Sequence, residues 1–204
     1  PVVCRLHSYE AFSEMPAQVQ WGYVDHLVFV AEHIREMFFN RWPQLREQGL
    51  PRTSIIPNGL DLSQLTFRER THGRKVGCLG FVNHKKGMEG LLDVAALSPN
   101  LEFHVAGIFQ DGHLAIWFED IIKYLPNIWW HGEVAKERKD EWLDGIDYLI
   151  SPSITESFGF TIAEAAAKGI KPLVRQRPGV ADLWPASWVW LHPGEFRRVL
   201  ENGY

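Results

Sequence analysis

The stretch TESFGFTIAEAAAKG, residues 155–169, sets two carboxylates, Glu156 and Glu164, eight positions apart across a glycine turn that runs into an alanine-rich segment. Glu156 falls just past the apolar run Tyr148 to Ile150, which reads as a strand. Ser157, Phe158, Gly159 and Phe160 then make a tight loop whose backbone N–H groups point toward a ligand. Thr161 is expected to open and cap the following helix, with Glu164 about one turn inside it. Carboxylates accept hydrogen bonds from hydroxyls and loop amides accept anions, so the spacing suits a polyol joined to a phosphate, as in a nucleotide sugar. The same residues are also compatible with a plainer reading, in which Glu156 caps a local turn and Glu164 is a solvated helix residue.

Short apolar or β-branched runs alternate with amphipathic segments along the whole chain, the pattern of βαβ units around a parallel sheet. The fold class is therefore α/β. Strands are expected at residues 2–6, 26–30 and 54–56, with helices at 13–20 and 32–39 between them. The Pro57-Asn58-Gly59 turn closes that series, and the polar stretch from Leu60 to Gly73 marks a boundary. A second series follows, with strands at 75–79, 101–106, 128–131, 148–150, 171–174 and 188–191. Helices near 88–97, 113–124, 136–143, 161–168 and 179–184 cover both faces of that sheet. Six strands make a complete open sheet, whereas three make part of one. The expected organisation is a partial Rossmann-like domain over residues 1–62, followed by a complete one over residues 63–204. A chain that starts directly on an apolar strand reads as the later portion of something larger.

Composition limits the alternatives. With 204 residues and 46% apolar content the chain can bury real cores and is not disordered. Twenty-one basic against 25 acidic residues, with no long Lys/Arg run, argues against nucleic acid as a partner. Cys4 and Cys78 lie inside apolar runs and read as reduced, buried thiols, which fits a cytoplasmic protein. No apolar run approaches the roughly 18 residues that span a bilayer, so membrane contact, where it occurs, is peripheral and on the cytoplasmic face. The nine tryptophans are scattered without a period and read mostly as packing.

The Glu156/Glu164 stretch strongly resembles the E-x7-E motif of retaining GT-B glycosyltransferases, in particular glycosyltransferase family 4. Other segments fall in that family's order: VDHLVFVAEHI (24–34), SIIPNGLDL (54–62), HKKGMEGLL (84–92), LEFHVAG (101–107), NIWWHGEV (127–134) and GIKPLV (169–174). The resemblance implies a transferase that moves a hexose from a nucleotide diphosphate sugar to an acceptor hydroxyl on a carbohydrate, a lipid-linked glycan or another molecule. It implies that Glu164 holds the ribose hydroxyls, that Glu156 contacts hydroxyls of the donor sugar, and that amides around Phe158, Gly159, Phe160 and Thr161 hold sugar and diphosphate. Lys86 matches the lysine that neutralises the departing diphosphate, and His7 matches a histidine that faces the donor from the end of an N-terminal-domain strand. Backbone near Glu133 and Val134 is implied to meet the base. One departure stands out: Gly80 is followed by Phe81 where the family often carries arginine in a GR-x-x-x-x-K pattern, leaving Lys85 or His84 as substitutes. The family needs no metal and no cofactor besides its donor substrate, and neither a D-x-D pair nor a His/Cys cluster argues otherwise.

Competing readings are a GT-B nucleotide-sugar epimerase, whose additional acid and base groups have no obvious residues here, and a nucleotide-sugar-binding module that does not turn over. A nicotinamide-binding domain is disfavoured because GCLGFVNHKKG (77–87) lacks G-x-G-x-x-G.

Overall fold

The structure, a computed structural model, describes residues 1–47, 52–71 and 73–202. These residues form two compact units: residues 1–59 with 156–159, and residues 60–155 with 160–204. The segment that begins the two-carboxylate stretch thus packs with the first unit, although the sequence places it inside the second.

The first unit is built on three parallel strands, β1 (Val3–Leu6), β2 (His26–Phe29) and β3 (Arg52–Ile55), in the order β1-β2-β3. Helix α1 (Ser8–Phe12) follows β1 directly, and α2 (Glu32–Arg41) and α3 (Pro43–Glu47) follow β2. In α2, Ile34 and Phe38 sit four positions apart on the buried stripe, so they meet Leu27, Phe29 and Val30 from the sheet in one core. Phe29 and Phe38 lie 5.3 Å apart between ring centroids. The helix expected at 13–20 is not there. Helix forms earlier, at Ser8–Phe12, and residues 13–20 contain a short 3₁₀ turn, Met15–Gln18. The physical reason is Pro16, which has no N–H to donate and favours a helix start over a helix interior. Glu10 also fixes the earlier start, because its carboxylate accepts the backbone N–H of His7 at 3.0 Å.

The second unit carries β4 (Lys75–Leu79), β5 (Glu102–Ala106), β6 (Ile128–Trp130), β7 (Tyr148–Ser151), β8 (Lys171–Arg175) and β9 (Val189–Trp190), all parallel, in the order β6-β5-β4-β7-β8-β9. Period-two alternation splits the strand residues between two cores. Val76, Cys78, Phe103, Val105, Tyr148, Ile150 and Leu173 face α4 (Met88–Ala96), α5 (Gly112–Ile121) and α9 (Phe196–Glu201). Leu149 and Val174 face α6 (Lys139–Asp144), α7 (Phe160–Ala167) and α8 (Val180–Leu183). Helices on both faces make this a doubly wound sheet. Gly77 is required within β4, since a Cβ there would lie 2.4 Å from Ile146 and 2.8 Å from the Trp142 ring. Trp190 is fully buried and Trp21, Trp42, Trp130, Trp142 and Trp184 pack against the cores, so most of the tryptophans are packing residues as expected, while Trp117 and Trp129 are exposed.

The strand order reverses at β4, which pairs with β5 on one side and β7 on the other. Loops leaving such a point diverge onto opposite faces of the sheet and open a crevice at the carboxyl ends of the strands, where ligands of open α/β sheets bind.

Candidate functional site

The loop after β4 is shaped by two devices. Asn83 accepts the N–H of Lys86 through its side-chain oxygen at 3.0 Å, capping the 3₁₀ turn His84–Lys86. Gly87 then takes φ 65° and ψ 42°, a left-handed conformation, and lies so close to the loop after β7 that a Cβ would stand 2.2 Å from the carbonyl oxygen of Pro152. A second tie comes from Ile154, which donates its N–H to the Lys85 carbonyl at 3.0 Å. The loops of the two diverging strands are thereby locked together, with half-buried Lys86 in the first of them. Lys86 also acts on Cys78: burial pushes that thiol up to about 12, and the lysine charge opposes the push. Lys85 and His84 are exposed, and His84 reaches Glu89 at 3.4 Å. Phe81 is 54% exposed.

Glu164 lies on α7 with its side chain 14% exposed, and its Oε1 accepts from Lys139 Nζ at 2.5 Å. The helix starts at Phe160, one residue earlier than expected, so Thr161 is its second residue and not its cap. Gly159, at φ 93°, makes the turn that allows this start.

A cavity of about 430 Å³ lies in the same unit, with walls that include His104, His131, Glu133, Val134, Arg138 and Trp142. Glu133 and Val134 were expected near a ligand; the histidines were not. His104 Nδ1 and His131 Nε2 are 2.9 Å apart, and the His104 ring stacks on Trp129 at 5.3 Å. Burial first, then the charges of His131 and Lys75, hold the His104 imidazole below its ordinary range, with Glu102 opposing. The sequence did carry one signal for His104: in EFHVA it alternates with Phe103 and Val105 and so faces the opposite side of the strand.

The remaining expected residues belong to the first unit. His7 sits at the β1–α1 junction, its Nδ1 3.7 Å from Glu10. The 156–159 segment is anchored there by two bonds at 2.9 Å, from Ser8 N–H to Ser157 Oγ and between His33 Nε2 and the Glu156 carbonyl. Phe158 and Gly159 are half-buried beside them. Lys86, Glu133, Val134 and Glu164 thus fall in the second unit and Glu156 in the first, a separation the sequence reading did not make. Among the described residues no group of three or more His, Cys, Asp or Glu side chains is arranged to hold a metal ion. No described helix is long and apolar enough to cross a membrane.

A doubly wound parallel sheet with its crevice at the β4 reversal, preceded by a smaller parallel sheet, is the architecture of GT-B glycosyltransferases. HepE of Anabaena, solved with UDP, superposes with a TM-score of 0.76 at 18% identity over 99% of this chain and 63% of its own. Sucrose-phosphate synthase of Thermosynechococcus elongatus gives 0.70 at 16% over 97% and 56%. Residues 67–184 match the glycosyl transferases group 1, and the chain belongs to that family. A D-inositol 3-phosphate glycosyltransferase of Pseudarthrobacter chlorophenolicus is 29% identical over 156 residues, covering 63% of this chain and 34% of that protein. The chain therefore spans about a third of the length of this curated relative.

Proposed function

We propose that the second unit binds a nucleotide diphosphate sugar, and that the protein transfers its hexose with retention of anomeric configuration to an acceptor hydroxyl of a carbohydrate or lipid-linked molecule. The observation that carries this reading is the locked pair of loops at the sheet's reversal point, which holds Lys86 at the carboxyl ends of β4 and β7. In such a transfer the bond between the sugar and the β-phosphate oxygen breaks, and negative charge builds on the leaving diphosphate. A fixed cation lowers the barrier by stabilising that charge, without any solvent rearrangement at the moment of reaction. Lys86 takes this role, and the amides of Phe160 and Thr161 at the start of α7 meet the same anion. Glu164 accepts from the ribose hydroxyls through the carboxylate that Lys139 steadies. Glu133 and Val134 border the base. His7, Glu156, Phe158 and Gly159 serve the donor sugar by their match to the family's pattern. No metal enters the reaction, because the lysine and amides supply the positive charge. The setting is the cytoplasm.

HepE, solved with UDP, and the inositol-phosphate glycosyltransferase support this assignment by similarity. Calorimetry with UDP, GDP and ADP and their hexose conjugates tests it: one nucleoside diphosphate should bind clearly better than its parent nucleoside. Failure of all three to bind would end the proposal. A transfer assay on the same protein then distinguishes an enzyme from a module that only holds the donor.

A further inference from the structure

Arg175 ends β8 with a half-buried side chain on the sheet face that carries α4. Its guanidinium carbon stands 6.0 Å from the centre of the fully buried Trp190 ring. The guanidinium occupies space that two glycines leave clear: a Cβ on Gly90 would lie 3.0 Å from Nη1, and one on Gly87 would lie 3.4 Å from it. Any other residue at Gly90 would press on it. Arg175 is thus seated against the first turn of α4, beside the residue that follows Lys86. Yet among the described residues this side chain has the Trp190 ring contact and neither a hydrogen bond nor an ion pair. Glu89, the carboxylate on that turn, is directed to His84 at 3.4 Å.

A guanidinium partly withdrawn from water, with its N–H donors unmet, is costly unless an anion comes to it. Its planar fork matches two oxygens of a phosphate. Lys86, the residue before Gly87, brings a second positive charge to the same loop. We propose that Arg175 is a phosphate-binding residue of the donor site and shares the diphosphate with Lys86, from a different strand than the one that leads to Phe81. The inference rests on the donor-binding reading above and extends it, because nothing in the sequence around Arg175 marks it for this role.

The test is calorimetry of wild type, R175A and R175Q against the best-binding nucleoside diphosphate, its monophosphate and the nucleoside, with a denaturation curve for each variant. Arg175→Gln keeps much of the stem on Trp190 and serves where Arg175→Ala fails to fold. The expected result is a tenfold to hundredfold loss for the diphosphate, a smaller loss for the monophosphate and none for the nucleoside. Equal diphosphate affinity in a folded variant overturns the role of Arg175 while leaving the donor site intact. A uniform loss across all three ligands also overturns it, by pointing to a structural effect. Wild type that binds no nucleoside diphosphate overturns the donor-binding reading itself, and this inference with it.

Discussion

Lys139 of α6 and Glu164 of α7 form an ion pair with 2.5 Å between Nζ and Oε1, while Glu164 Oε2 has no partner among the described residues. The pair therefore holds one carboxylate oxygen and presents the other. Glu164→Ala is expected to weaken nucleoside diphosphate binding by about 1–3 kcal/mol, the range for charged hydrogen bonds. Lys139→Met should cost less, about 0.5–1 kcal/mol, because the lysine is a third exposed and solvent screens the pair. Both proteins should unfold near the wild-type denaturant midpoint. Normal affinity in a well-folded Glu164→Ala would remove this residue from the ribose site.

Lys86→Ala should separate phosphate from nucleoside recognition. A lysine acts as a point charge on the phosphates, so the diphosphate is expected to lose about 1.5–3 kcal/mol of binding while the nucleoside loses none. Equal losses, measured by calorimetry at fixed ionic strength, would move Lys86 out of the phosphate site.

Gly87→Ala tests the locked loops. The left-handed backbone costs a residue with a Cβ about 1–2 kcal/mol, and the 2.2 Å approach to the Pro152 carbonyl forces a backbone shift as well. A lowered melting temperature together with lost diphosphate binding is expected. Gly112→Ala is the control, since α5 begins there and nothing lies within 4 Å of the added methyl; it should be neutral or slightly stabilising. Similar behaviour of the two variants would contradict the close approach.

Stability should fall with acid through His104. Its folded-state pKa is lowered from 6.5, chiefly by burial, so the unfolded chain binds the proton more readily. The contribution of the neutral imidazole is fully present above pH 6.5 and is lost as pH falls below that value toward the lower folded pKa. Protonation of His104 also places its charge against the His131 ring 2.9 Å away, whose charge opposes it. Lys75 adds to the effect and Glu102 offsets part of it. Urea midpoints of wild type should decline between pH 7.5 and pH 5, and His104→Gln should flatten the decline. An identical slope in both proteins would assign it to other groups.

The strands and most helices of the second unit were legible in the sequence, because alternation of buried and exposed residues is written locally along the chain. Glu102–Ala106 is one example, its buried Phe103 and Val105 set two apart, and Met88–Ala96, with buried Leu91, Leu92 and Ala95, is another. The carboxylates could be picked out for the same reason, since each sits at a fixed offset from a strand or helix boundary, whereas Lys86 was singled out by the family resemblance of HKKGMEGLL. Two short helices were not legible: α1, five residues long, and α9, six, carry too few turns for a period to emerge, and Ala11 and Phe196 find cores to enter. Only the tertiary structure could pair Lys139 with Glu164, stack His104 beside His131, or seat Arg175 against Gly87 and Gly90. Each joins residues far apart in sequence, and their meeting depends on the strand order and register of the whole sheet, for which a short run of residues holds no signal. The sequence by itself determined which residues lie at the carboxyl ends of strands; the reversal at β4 decided which of those ends share a crevice.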